Sequence, residues 1–380
     1  MSANRRRSPA RHHRSPSGRS HRSRLGVAAV LMALLVTLAL IYLNQVSTHE
    51  AFAPMKLVGS PRAATPTPTE TAVAVETEPL APLTGLPAEG PLAHAAVTVK
   101  VSNTPDAHPH RGLEAADIVF VEPITGSTTR LAAMFHSTFP AEVGPVRSLR
   151  PMDAPIVGPT GGVLANTMAQ QWVLDYVDAT ANVANLGTMR VPRGTYRIDN
   201  SRIAPNHVFA QPLVLLELAG RTGPPPPYFQ YANDLDGSTA RAAGSPAVAV
   251  TIDYGGTSTA TWRYHDETAR WRRSEAWADH MLEGGEQVAA DNVIVLRAAR
   301  ELGFAQADAN MTVLDLEDSS GSLQLFTGAA TVEGSWRKAG PNDPFQFSIV
   351  DGADLLLTPG TTWVELALDT MSVTIEPPTR

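Results

Sequence analysis

The sequence predicts an α+β protein, with an N-terminal mixed α/β domain followed by a C-terminal mostly-β domain, preceded by a single transmembrane helix. Three observations carry this. Residues 25–43 read LGVAAVLMALLVTLALIYL without a charge. Between about 82 and 223, strand-length apolar runs alternate with helically spaced ones. Beyond a GPPPP run at 223–227, short alternating runs follow one another at roughly 8–12-residue spacing.

The elements follow in chain order. Residues 1–24 hold eight arginines and no acid; since the whole chain carries −7, the remainder carries −15. This head reads as a basic, disordered cytoplasmic tail. As a helix, residues 25–43 span roughly 28 Å, close to the hydrocarbon thickness of a bilayer. The flanking arginines place the N-terminus in the cytoplasm and the folded domains outside the membrane, a single-pass signal anchor. Ala51-Phe52-Ala53 also has the small-x-small pattern of a cleavage site, so a removed signal peptide is the alternative. Residues 44–81, with TPTPTETAVAVETEP, offer nothing periodic to bury and read as an extended stalk.

In the first folded domain, residues 82–223, strands are expected at 95–101, 116–122, 129–137 and 161–167. Helices are expected at 168–179 and 211–220, the second closed by Gly220. The second domain, 228–380, is expected to be nearly all strand. It holds five of the six tryptophans, read as packing residues rather than a carbohydrate platform.

Composition excludes several functions. There is no cysteine, which removes disulfide scaffolds, Cys-ligated metals, thiol nucleophiles and thioether-linked lipid. An acidic body argues against nucleic acid as a partner. No phosphate-cradling GxxxxGK[ST] or GxGxxG loop follows a suitable strand, so no cofactor is expected. His108-Pro109-His110 with His94 lacks metal-site spacing and reads as a solvated loop, so no metal is expected. Ser335-Trp336-Arg337-Lys338 matches SxxK without the partner motifs that would make it catalytic.

Several blocks together, namely PLTGLP, VKVSNTPDAHPHRGLEAADIVFVE, TTR at 128–130, GPVRSLRP at 144–151, APNH at 204–207, WRRS, DNVIV, GSWRK and GTTWVEL, resemble the YerB-like family of bacterial envelope proteins, a domain-of-unknown-function family. The resemblance spans about residues 82–370 and implies an envelope location and paired N- and C-terminal domains. It brings no reaction with it. Members are usually lipid-anchored through a cysteine; lacking one, this chain is expected to be held by its helix. It departs from the family pattern at Ser102, in PITGSTTR and in the order of APNH.

The chemistry-bearing residues fall into two sets. Arg130, Arg147, Arg150 and Arg202, with Asn103, are candidate ligand-binding residues, because guanidinium forks on scaffolded loops suit carboxylate or phosphate. Ser148, His207 and Glu122 are candidate catalytic residues, as nucleophile, base and acid, if folding brings them together. The function expected is recognition of an anionic cell-envelope polymer or an envelope protein. An envelope hydrolase or transferase using Ser148, His207 or Glu122 is one alternative, and an organiser of an envelope assembly acting through the β-rich domain is another.

Overall fold

The computed structural model describes residues 79–379, apart from 89, 91, 257 and 308–310. The expected basic tail, membrane helix and stalk lie outside the described residues, except the end of the stalk. Among the described residues no helix is long and apolar enough to cross a membrane.

Among the described residues eighteen strands run in chain order: β1 (Val97–Ser102), β2 (Ile118–Pro123), β3 (Thr129–Phe135), β4 (Val163–Ala165), β5 (Ala184–Asn185), β6 (Tyr196–Ile198), β7 (Val208–Ala210), β8 (Ser245–Pro246), β9 (Ala249–Asp253), β10 (Thr259–His265), β11 (Arg270–Glu275), β12 (Ala289–Ala290), β13 (Asn292–Ala298), β14 (Ser319–Thr327), β15 (Ala330–Lys338), β16 (Gln346–Ser348), β17 (Thr362–Leu368) and β18 (Ser372–Glu376). The main helices are Asp153–Val157, Gln171–Thr180, Pro212–Ala219 and Thr239–Ala243. Within the half expected to be nearly all strand, 312–317 and 355–360 make only isolated bridges, Arg300 with Leu314 and Tyr231 with Leu357.

Strands from both sides of the proline run share one sheet, ordered β16-β15-β14-β13-β17-β2-β3-β1-β4-β5, with β8 beside β15. The join is β17 lying parallel to β2, Thr362 opposite Ile118 and Glu365 opposite Val121. A five-stranded sheet, β12-β11-β10-β9-β18, packs against one face, and the helices at 153–157 and 171–180 pack against the other.

The middle strands are therefore covered on both faces, which explains runs such as IVFVEP that read as continuously apolar. In β2, Ile118 and Phe120 enter the helix-side core while Val119 and Val121 enter the core between the sheets. Trp262, Trp271, Trp336 and Trp363 are buried as expected, whereas Trp277 is partly exposed. Gly220 ends its helix in the left-handed conformation, its N–H donating to Glu217 O.

Candidate anion-binding site

The period-two alternation of β1, β2 and β3 builds the floor of the site. With Ala96, Phe120, Ala132 and Met134 facing the helix-side core, Lys100, Glu122 and Arg130 fall on that same face. Register brings them side by side: Glu122 opposes Arg130, Arg130 opposes Ser102, and Lys100 opposes Ala132. The helix 153–157 lowers Asp153 onto them from above. Lys100 Nζ then lies 2.5 Å from Glu122 Oε1 and 2.7 Å from Asp153 Oδ1, all three side chains fully buried. The Arg150 backbone N–H donates to Asp153 Oδ2 at 2.6 Å, tying the arginine loop to this triad.

Above the triad, the GPVRSLRP segment brings Arg147 and Arg150 near Arg130. Arg130 donates to Ser148 O at 2.7 Å, Arg150 to Leu149 O at 2.8 Å, and Arg147 to Ser102 Oγ at 3.2 Å. Among the described residues none of the three pairs with a carboxylate, since Lys100 already engages Glu122 and Asp153. Burial, then the nearby charges of Arg150 and Arg147, push Arg130 down to about 9. Burial also lowers Arg147 and Arg150. Glu122 is raised by burial and by Asp153, against the pull of Lys100, and its Oε2 has no hydrogen-bond partner.

Two clefts adjoin along this segment. One, of about 290 Å³, is lined by Arg130, Ser148, Arg150 and Gln170 among others. The second, of about 570 Å³, is lined by Arg147, Arg193, Tyr196, Ile198, His207 and Val208 among others. Five of the expected residues thus gather: Arg130, Arg147, Arg150, Ser148 and, beneath them, Glu122. His207 borders the second cleft. The Ser148 hydroxyl lies 3.4 Å from Thr167 Oγ1, and among the described residues no hydrogen bond joins it to His207 or to Glu122.

Arg202 and Asn103 are placed elsewhere. Arg202 donates to Ala107 O at 3.0 Å and Pro109 O at 2.7 Å, reaches Glu283 at 3.3 Å, and lies over the Phe209 ring. Its donors hold a loop and are not presented to a ligand. Asn103 donates to Thr129 Oγ1 at 2.7 Å and Glu275 Oε1 at 2.8 Å, and its Oδ1 faces His108 Nε2 at 3.0 Å. Lys100 and Asp153 were missed by sequence reasoning. Lys100 had a usable signal, the Thr98, Lys100, Ser102 alternation within an apolar strand; Asp153 had none.

The histidine loop also differs from expectation. His110 is fully buried, and His108 packs against it and against His280 from the second half. These three are the one His, Cys, Asp or Glu group among the described residues whose ligand atoms lie close enough to share a metal. Their hydrogen bonds fit a different arrangement. His110 Nε2 faces the Ser102 carbonyl at 2.6 Å and so carries the proton, leaving Nδ1 to accept from His280 Nε2 at 2.7 Å. His280 Nδ1 in turn accepts from Arg273 at 3.0 Å. A metal-bound imidazole donates its second N–H outward, whereas His280 turns that nitrogen to a guanidinium, which offers only donors. The donor set suits two neutral, hydrogen-bonded imidazoles better than a metal. Arg273 itself pairs with Glu275 and, at 2.9 Å, with Glu365, which also accepts from Tyr254 and Trp262.

Comparison with known proteins agrees with this architecture. Residues 83–224 match the model described as "Protein of unknown function (DUF3048) N-terminal domain", and residues 250–364 match the corresponding C-terminal domain. The chain belongs to this family. Within the DUF3048 family it is similar to a Bacillus subtilis (strain 168) protein named "Putative lipoprotein YerB", 28% identical over 306 residues that cover 76% of this chain and 86% of the relative. The crystal structure of the YerB protein from Bacillus subtilis superposes with a TM-score of 0.68 at 23% identity, covering 78% of this chain and all of the other. That likeness concerns the fold. In this DUF3048 protein, GPVRSLRP carries the arginine loop and GLEAADIVFVE carries β2 with Glu122.

Proposed function

We propose that this chain is an extracytoplasmic binding protein of the cell envelope, held at the membrane by residues 25–43, whose Arg130, Arg147 and Arg150 take an anionic group of an envelope polymer. The observation that carries the reading is the gathering of three guanidiniums, half-buried beside a cleft, without a carboxylate of their own among the described residues. Like charges so placed repel one another, and a bound anion relieves that cost while accepting several charge-assisted hydrogen bonds. The name of the Bacillus subtilis relative supports the envelope location, since a lipoprotein is anchored at a membrane. Binding is favoured over hydrolysis because among the described residues no hydrogen bond joins Ser148 to a base, and Glu122 lies fully buried under the loop. It is favoured over an organising role for the β-rich half because the large apolar side chains exposed in 228–380, Trp277, Leu302 and Val350, are few and separated in sequence.

The test is incubation of the full chain, in neutral-lipid nanodiscs, with a purified anionic cell-wall polymer. Retention without released fragments is expected, weakened in Arg150→Ala and unchanged in Ser148→Ala. Release of fragments that Ser148→Ala or Glu122→Gln abolishes would instead establish the hydrolase.

A further inference from the structure

The 570 Å³ cleft has a composition that the arginine cluster alone does not explain. Its charged members, Arg147 and Arg193, have no carboxylate partner among the described residues, although the body of the protein is acidic. His207, on the same wall, keeps a buried Nδ1 with no hydrogen-bond partner. The rest of the lining is largely apolar: Pro192, Tyr196, Ile198, Pro205 and Val208. Ile198, at the end of β6, is 49% exposed at its edge; Met189, in the segment before β6, and Ile203, in the turn after it, are 76% and 86% exposed. An exposed apolar side chain at the rim of a largely apolar, cationic cleft suits a ligand with an apolar part.

From this we infer that the ligand is amphipathic: a phosphate monoester carrying a hydrocarbon chain, with the phosphate at Arg147 and the adjoining arginines, and the chain along Pro192, Ile198 and Val208. The inference rests on the anion-binding reading and specifies its ligand class. Phosphate is chosen because a dianion with three terminal oxygens satisfies more than one guanidinium fork. Arg147 is the hinge of the argument. It lines the apolar cleft, while its neighbours Ser148, Leu149 and Arg150 line the smaller one. A headgroup at this junction touches the cluster and leaves its tail along the largely apolar wall of Pro192, Ile198 and Val208.

The experiment is a calorimetric ladder on the full chain in phosphatidylcholine nanodiscs, with empty nanodiscs subtracted. Methyl, butyl and octyl phosphate are titrated, with octyl glucoside as the uncharged control. Affinity is expected to rise with chain length, by up to about fourfold for each methylene that becomes buried, and octyl glucoside is expected to bind at least tenfold more weakly than octyl phosphate. Ile198→Ser, at an exposed position, should flatten the ladder without changing methyl phosphate. Arg193→Ala, also exposed, should weaken every member. Doping the nanodiscs with phosphatidic acid, a phosphate monoester in the bilayer, separates the sources: competition against octyl phosphate assigns the site to membrane lipid, and its absence assigns it to a dispersed amphiphile. A ladder equal at all lengths, with methyl phosphate still bound and still sensitive to Arg150→Ala, overturns the amphiphile and keeps the anion site. No binding of any phosphate overturns both.

Discussion

Arg130, Arg147 and Arg150 share one place and different supports. Arg130 rises from a strand whose register fixes it opposite Glu122, while Arg147 donates to the Ser102 hydroxyl and Arg150 depends on the Leu149 carbonyl and on the bond from its N–H to Asp153. The histidines show the same residue-scale logic in reverse, since burial and Arg273 keep them neutral. His108 is lowered to about 4 by burial, Arg273 and Arg202, and His110 and His280 are pushed well below the ordinary value. Their folded pKa values lie under the unfolded value near 6.5, so the stability they contribute is present above that pH. It is lost as pH falls, because the unfolded chain takes up protons that the native state refuses. Chemical unfolding at a series of pH values should show stability declining below about 6.5, by up to about 1.4 kcal/mol per pH unit for each histidine. A His280→Gln variant should show a shallower decline.

Elements whose periodicity is local are legible in the sequence, and pairings between distant segments are not. β1, β2, β3 and the helix at 212–219 sit where alternation and capping place them, and Gly112 shows why one family block holds a glycine. Its φ is +83°, and a Cβ there would stand 2.3 Å from Glu142 O. By contrast, nothing near His110 in the sequence announces His280, 170 residues away. Arg202 reads as one of the binding arginines, and nothing near it in sequence announces its partner Glu283, 81 residues away. The buried triad on the sheet face gives an element-scale prediction. Lys100→Met leaves Glu122 and Asp153 as buried neighbours with no cation between them, so denaturant unfolding should show a loss of about 3–5 kcal/mol. Adding Glu122→Gln should recover part of it, because the pair no longer carries two like charges. Additive losses would contradict the coupling.

Across the whole molecule, the proline run at 223–227 separates two sequence patterns but not two sheets. β17 lies between β13 and β2, so each half supplies a strand that covers the other's edge, and the core between the sheets draws on both. Glu365 is buried there with Arg273, Trp262 and Tyr254. Neither 82–223 nor 228–380 expressed alone is expected to give a cooperative unfolding transition, whereas co-expression of the two should restore one. Two independent transitions in the intact chain would contradict a shared core. This joining was not legible in sequence because parallel pairing between residues 118 and 362 leaves no local signature.

If the arginine cleft holds an anion, calorimetric titration of the full chain with tripolyphosphate will register it. Saturable binding is expected, weakened about ten- to hundredfold by Arg130→Ala and by Arg150→Ala, the range for losing one charge-assisted contact, and unchanged by Arg202→Ala. Wild-type affinity in the Arg130 and Arg150 variants, with only their stability reduced, would contradict it.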